Sequence, residues 1–165
     1  MNPAEKFVHS MADKSPVHQY LAEHGQVVGS ATECVTIAGY EITLSERITQ
    51  DEKSLISDAV RATQLSEKEC FTNALRLWQY DQRFKYAEGF AAFSDITDIA
   101  FEHAWCILDG EKIVDVTSEF DHHFGTIICS DSILEQYTGA NMSPNGIIGN
   151  RSDQYKFLRE RGYVQ

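Results

Sequence analysis

The chain is short of cationic residues and has no long apolar run, and both absences narrow its function. Lys and Arg number 14 against 25 Asp and Glu, a formal net charge of −11. A protein that grips the nucleic-acid backbone needs a basic face, so that class is disfavoured. No stretch approaches the roughly 18 apolar residues that span a bilayer, so no membrane helix is expected. Met1 to Ser10 carries no apolar core of the kind a secretory leader needs. The four cysteines, Cys34, Cys70, Cys106 and Cys129, include no Cys-x-x-Cys pair. Their spacing argues against a disulfide framework and against a structural zinc site. Only 3 prolines and 10 glycines accompany 11% aromatics, which argues against wholesale disorder. The expectation is a reduced, soluble, cytoplasmic protein.

What is present suffices for a single domain over 1–165. Apolar residues make up 42% of the chain, enough for a sizeable core. Residues 3–24 carry helical patterning broken at Pro16, which predicts two short helices. Thr32–Ile37 and Tyr40–Leu44 are β-branched runs around Ala38 and Gly39 and predict a hairpin. Ser45 or Thr49 is positioned to cap a helix over about 51–63, with Leu55, Ile56, Ala59 and Val60 on one face. Strand patterning follows at 84–93, 103–108, 111–117 and 124–129. Helices are predicted at 131–137 and 152–161, around a loop over 141–150. Helices before and between a block of consecutive strands imply an α+β fold.

Ser66-Glu67-Lys68-Glu69 has the spacing of a capping box and predicts a helix over 67–81 with Phe71, Ala74, Leu75 and Trp78 as its apolar stripe. Cys70 then falls in or beside the first turn, where unpaired N–H groups and the helix dipole favour an anion. A thiolate gains from that position, which makes Cys70 the candidate nucleophile. Free cysteines are ordinarily small core residues, and Cys34, Cys106 and Cys129 are read that way. Gln64, six residues upstream, carries amide N–H groups able to point at a developing oxyanion. Asn73, one turn beyond Cys70, is a candidate for substrate contact.

His103, Trp105 and Ile107 share one face of a predicted strand, and Asp115 shares a face of the next with Ile113 and Thr117. Whether imidazole and carboxylate meet depends on the turn between them. A two-residue turn of Asp109 and Gly110 pairs Leu108 with Glu111 and puts His103 and Asp115 on opposite faces. A three-residue turn over 108–110 pairs Ile107 with Glu111 and His103 with Asp115, using Gly110 as its left-handed residue. Directly opposed residues have Cβ atoms about 5 Å apart, near enough for a carboxylate to hold an imidazole nitrogen. A row of Cys70 as nucleophile, His103 as base and Asp115 as orienter therefore requires the bulged turn. Trp105, beside the base, and Glu88, on the preceding strand, are further candidates for substrate contact. His122 and His123 with Asp121 suggest metal ligands, but neighbours on a strand point to opposite faces, so no metal is expected.

Cys70 with Phe71 and Ala74, then Glu88-Gly89-Phe90, His103-Ala104-Trp105, Asp109-Gly110, and Asp115 with Thr117 resemble the transglutaminase-like branch of the papain-like cysteine protease superfamily. The likeness covers about residues 64–117. Lys68 stands where that branch commonly has glycine. The resemblance implies a papain-like or transglutaminase-like α+β fold, in which a helix bearing the nucleophile packs on an antiparallel sheet. It also implies Cys70, His103 and Asp115 as a catalytic triad and, from the sister papain branch, Gln64 as the oxyanion glutamine. The expected function is a cysteine-dependent acyl-transfer enzyme acting on an amide bond of a protein or peptide. Protease, glutamine deamidase and transglutaminase chemistry all stay open, and none needs a cofactor. The alternative is a non-catalytic protein-binding module that keeps the fold.

Overall fold

Two N-terminal helices, α1 (Pro3–Ser10) and α2 (Pro16–His24), each begin at a proline behind a polar cap. Asn2 Oδ1 accepts from the Glu5 N–H at 2.8 Å, and Ser15 Oγ from the Val17 N–H at 3.2 Å. The break predicted at Pro16 is thus a helix start. The computed structural model describes residues 1–29, 31, 33–142 and 144–165, with all their side chains except those of Thr97 and Asn141. Thr32, where the first predicted strand begins, and Ser143, in the predicted loop over 141–150, lie outside the described residues.

Strands β1 (Glu33–Ile37) and β2 (Tyr40–Leu44) form the predicted hairpin, with Ala38 and Gly39 both at positive φ, as a tight primed turn requires. Helix α3 (Gln50–Thr63) is closed by a capping box in which Thr49 Oγ1 accepts from the Glu52 N–H and Glu52 accepts from the Thr49 N–H. Helix α4 (Cys70–Tyr80) leads into β3 (Phe84–Phe93), β4 (Ile96–Leu108), β5 (Lys112–Asp115) and β6 (His122–Ile127). β4 begins well before the predicted 103, because Ile96–Glu102 returns antiparallel along β3 after a bulged turn. Helices α5 (Asp131–Glu135) and α6 (Lys156–Arg159) are shorter than predicted. In α6 the left-handed backbone of Gln154 and Tyr155 prevents helix from starting at 152.

The six strands form one antiparallel sheet in the order β1-β2-β5-β4-β3-β6, so the molecule is α+β. One face carries Tyr86, Cys106, Val114 and Phe124, which pack with Ala4 and Val8 of α1 and with Ala74, Leu75 and Trp78 of α4 into the main core. The other face carries Ala87, Trp105, Ile107 and Ile113, covered by Val28. Gln26 bridges to Gly125 of β6, and a Cβ on Gly29 would meet the Ile113 side chain at 2.6 Å, so the chain over 26–29 crosses this second face. Among the described residues no helix is long and apolar enough to cross a membrane.

Candidate active site

Cys70 is the first residue of α4 and is buried, with Glu69 at the cap position. The expected Ser66–Glu69 capping box does not form, and the helix starts at 70 instead of 67. Asn73 displaces it: its side chain accepts from the Ser66 N–H at 2.9 Å and donates to the Ser66 carbonyl at 2.8 Å. The hydroxyl of Ser66 is engaged by Arg76. Asn73 also donates to Thr117 Oγ1 at 3.0 Å, tying the chain beyond β5 to the helix. It is 1% exposed, so Asn73 is a buried clamp and not a substrate contact. Lys68, at φ 63°, occupies a left-handed position that favours glycine, the residue the resembled family commonly has there. With no side-chain cap, and no acceptor among the described residues, the N–H groups of Cys70, Phe71 and Thr72 stay available at the tip of the helix.

His103 and Asp115 meet, in a register that matches neither expected turn. Leu108 pairs with Lys112 and Ile107 with Ile113, so Asp109, Gly110 and Glu111 form the loop. Asp109 and Gly110 are both left-handed, and Glu111 is an added residue that keeps the odd-numbered side chains of β4 and β5 on one face. Extending that register sets Asp115 opposite Trp105 and diagonal to His103. The diagonal is short enough: His103 Nε2 lies 2.7 Å from Asp115 Oδ2, with both residues buried. Burial alone would lower the His103 pKa. The charge and hydrogen bond of Asp115, followed by hydrogen bonding and charge interaction with Cys70, outweigh it and push it up to about 10. Burial pushes Asp115 upward, but the His103 charge and the two imidazole hydrogen bonds win, holding the carboxyl well below its usual range.

A third ring completes the cluster. His123 Nε2 lies 2.9 Å from the same Asp115 oxygen, and the residue is 2% exposed. Burial lowers its pKa despite Asp115, so His123 is neutral and donates its Nε2–H, leaving a buried Nδ1 without a partner among the described residues. Sequence reasoning weighed His123 only as a metal ligand beside His122 and Asp121, not as a partner of Asp115, and the last strand was expected to begin at 124. It begins at 122, and Ala91 pairs with His123 through a long-range contact no local pattern encodes. The opposite-face argument was sound as far as it went: His122 points away to Ser94 while His123 points in.

His103, Asp115 and His123 also form a set of metal-ligating types. Ligands on a tetrahedral zinc stand about 3.3 Å apart, given bonds of about 2.0 Å. The observed 2.7 and 2.9 Å are hydrogen-bond lengths, so the donor set is knit to itself.

Trp105 is 1% exposed and lies beneath these rings, stacked on His103 at 6.1 Å and edge-on to His123 at 4.8 Å. It is a core platform and not the expected substrate contact. Gly125 makes room for it, since a Cβ there would strike the indole at 2.9 Å.

Gln64 is not joined to this row. It is exposed at the left-handed C-cap of α3, and its carbonyl accepts from Arg76, further along α4 than Cys70. Six residues of helix separate Arg76 from Cys70, about 9 Å along the axis. Glu88, also expected to contact substrate, is buried and anchors a loop: it accepts from the Ile147 N–H at 2.9 Å, the Ile148 N–H at 2.8 Å and the Tyr86 hydroxyl at 2.5 Å.

The remaining cysteines differ from Cys70. Cys106 is buried and donates to the Ala74 carbonyl at 3.3 Å, and burial drives its pKa far up. Desolvation first, then Glu41 and Glu119, push Cys34 up to about 11. Cys129 is exposed and donates to the Ile127 carbonyl. A cleft of about 410 Å³ between Tyr40, Lys68 and Thr117 opens beside the turn that precedes Cys70. Compared with known proteins, the chain matches no family model, no curated sequence and no solved structure.

Proposed function

We propose that the chain is a cysteine-dependent acyl-transfer enzyme acting on an amide bond, with Cys70 as nucleophile, His103 as base and Asp115 as orienter. The observation that carries this reading is the buried 2.7 Å contact between His103 and Asp115, taken with a buried cysteine at the uncapped start of α4. The sequence likeness to transglutaminase-like proteins, and a nucleophile helix packed on an antiparallel sheet, agree with a papain-like arrangement. Asp115 accepts the Nε2–H and fixes the tautomer, which leaves Nδ1 to take the thiol proton.

The thiolate adds to the carbonyl carbon, and the oxyanion that forms is met by the free N–H groups of Cys70 and Phe71. When the tetrahedral intermediate collapses, the C–N bond breaks, and His103 returns the proton to the departing ammonia or amine. Water, deprotonated by the same ring, then releases a carboxylic acid. An amine in place of water gives a new amide. Cys34 and Cys106 lack any such base and are spectators.

Alkylation by iodoacetamide at about pH 6 tests this, because only a thiol already ionised there reacts quickly. Mass spectrometry is expected to find the adduct on Cys70 first, and the His103→Ala variant to lose that preference. Equal, slow labelling of all four cysteines in both proteins would leave a non-catalytic binding module as the better description.

A further inference from the structure

The sheet has two edge strands, and the chain covers only one of them. On β6, Asn2 Nδ2 donates to the His123 carbonyl at 3.3 Å, and Gln26 and Gly125 exchange backbone hydrogen bonds at 2.8 and 3.0 Å. The outer side of β1 has no such partner among the described residues. The Ser45 N–H donates to the Ile113 carbonyl, so odd-numbered β2 residues turn their backbone groups toward β5 and even-numbered ones toward β1. Tyr40, Ile42 and Leu44 therefore bond Ile37, Val35 and Glu33, and the N–H and C=O groups of Cys34 and Thr36 point outward. Both residues are exposed. β1 contains neither lysine nor proline and its register carries no bulge, so the commonest devices that blunt an edge are absent.

The two faces beside this edge differ. Val35 and Ile37, both half-buried, join Leu44 and Ile56 in the floor of a groove of about 420 Å³, rimmed by Lys53 and Asp58 of α3. On the opposite face Glu41 accepts from the Thr36 hydroxyl at 2.9 Å and from the Cys34 thiol at 3.4 Å, and Glu119 accepts from the same thiol at 3.9 Å. Neither carboxylate pairs with a lysine or arginine among the described residues. A second copy paired along β1 would bring another Glu41 and Glu119 to this face, in a chain of net charge −11. The unpaired negative charge selects a basic occupant instead.

We propose that β1 is a docking edge for an extended, basic segment of another polypeptide, added antiparallel as every pair in this sheet is. In that arrangement the residues opposite Cys34 and Thr36 exchange backbone hydrogen bonds with them. Their side chains lie on the carboxylate face, where lysine or arginine meets Glu41 and Glu119. The residues between them point the other way and set apolar side chains beside Val35 and Ile37, at the groove. The partner is thus a strand in which cationic and apolar residues alternate. Main-chain hydrogen bonds supply affinity, and the two unlike faces supply selection. β1 is three strands away from β4, and the docking edge does not depend on Cys70 being a nucleophile.

The test uses the full chain and a heptapeptide that alternates lysine with valine, blocked at both ends. The amide chemical shifts of Cys34 and Thr36 are expected to move on titration up to about 1 mM peptide. N-methylating the two inner lysines is expected to weaken binding about tenfold or more, because it removes the strand's donors without changing the protein. Thr36→Pro is expected to weaken the unmodified peptide similarly. The Thr36 N–H points off the sheet, where proline is tolerated, so β1 and β2 stay paired. Replacing the peptide's lysines with glutamate is expected to abolish the shifts. The double variant Glu41→Lys with Glu119→Lys is expected to bind the lysine peptide about threefold to tenfold more weakly and to accept the glutamate peptide. Unmoved amides at Cys34 and Thr36, binding indifferent to N-methylation, or equal binding of both peptides by the parent chain overturns the proposal. So does a concentration-dependent dimer that shifts the same two amides without peptide, since the edge would then belong to a second copy.

Discussion

Asp115 and Glu88 are both carboxylates in the interior, 0% and 4% exposed, yet they titrate in opposite directions. They lie on opposite faces of the sheet. Asp115 accepts from two imidazoles, one carrying a positive charge, and its carboxyl is held well below the ordinary range. Among the described residues Glu88 accepts from neutral donors, the Tyr86 hydroxyl and the N–H groups of Ile147 and Ile148. Burial then dominates and pushes it up to about 7. Equal burial thus gives unequal chemistry, and the formal charge of the partner decides which. Asp115 stays ionised and holds an imidazolium. Glu88 ties down a loop and is itself near its titration point.

Removing the charge from Asp115 is the strongest way to break this contrast. In Asp115→Asn the His103 imidazolium loses its buried counter-charge, and burial is then expected to bring its pKa below 6.5. The rate of Cys70 alkylation at pH 7 is expected to fall roughly 10³- to 10⁴-fold, the scale seen when a triad carboxylate becomes an amide. Denaturant unfolding is expected to report a loss of about 3–5 kcal/mol for a broken buried pair. A variant as reactive as the parent would show that the aspartate does not tune the histidine.

Glu88→Gln sharpens the contrast through pH. Asp115 has a folded pKa below its unfolded one, so its stabilisation is present above about pH 4 and is lost as pH falls. Glu88 has the reverse sign: its raised value favours the fold at low pH. That advantage, up to about 3 kcal/mol for a shift from 4.5 to about 7, is lost as pH rises across this interval. Guanidinium midpoints measured from pH 5 to 8 are expected to fall more steeply in the parent than in Glu88→Gln. Parallel curves would mean that the carboxyl ionises freely.

The difference between these carboxylates also marks how far the sequence was legible. Local signals were read well where the cause was local: the chain over 3–24 divides at Pro16 into two short helices, Thr49, one of the two candidates, caps α3, and Ala38-Gly39 turns the first hairpin. The pairing of His103 with Asp115 was foreseen as a question of parity. Parity survived although the loop moved to 109–111, because any three-residue connection keeps both side chains on one face. What failed was non-local. Asn73 took over the backbone of Ser66 and moved the helix start. Glu88 found its partners at 147–149, and Trp105 went beneath the rings because Gly125 lies across the sheet from it. Gln64 was assigned by distance along the chain, whereas the left-handed cap of α3 sets its carbonyl against Arg76, in the second turn of α4. The partners of Glu88 and Trp105 come from the topology of the sheet, and those of Asn73 and Gln64 from the fold of the chain between α3 and α4.

His123 gives the smallest and most discriminating test of the comparison, because it is the donor that Asp115 has and Glu88 lacks. Its ring shares Oδ2 with His103, so it restrains the carboxylate while contributing no charge of its own. His123→Ala removes one neutral hydrogen bond and is expected to slow Cys70 alkylation about tenfold, the kinetic equivalent of roughly 1.4 kcal/mol. With one donor fewer, the carboxylate concentrates its charge on His103. The alkaline limit of the His103 imidazolium, at about 10 and read from the NMR shifts of the ring, is therefore expected to move upward. A lost packing contact alone would slow the reaction without moving that limit. His123→Gln separates the two causes, since a glutamine amide can reach the same oxygen and restore the donor. If the glutamine variant behaves like alanine, with the limit unmoved in both, His123 merely fills space above Trp105.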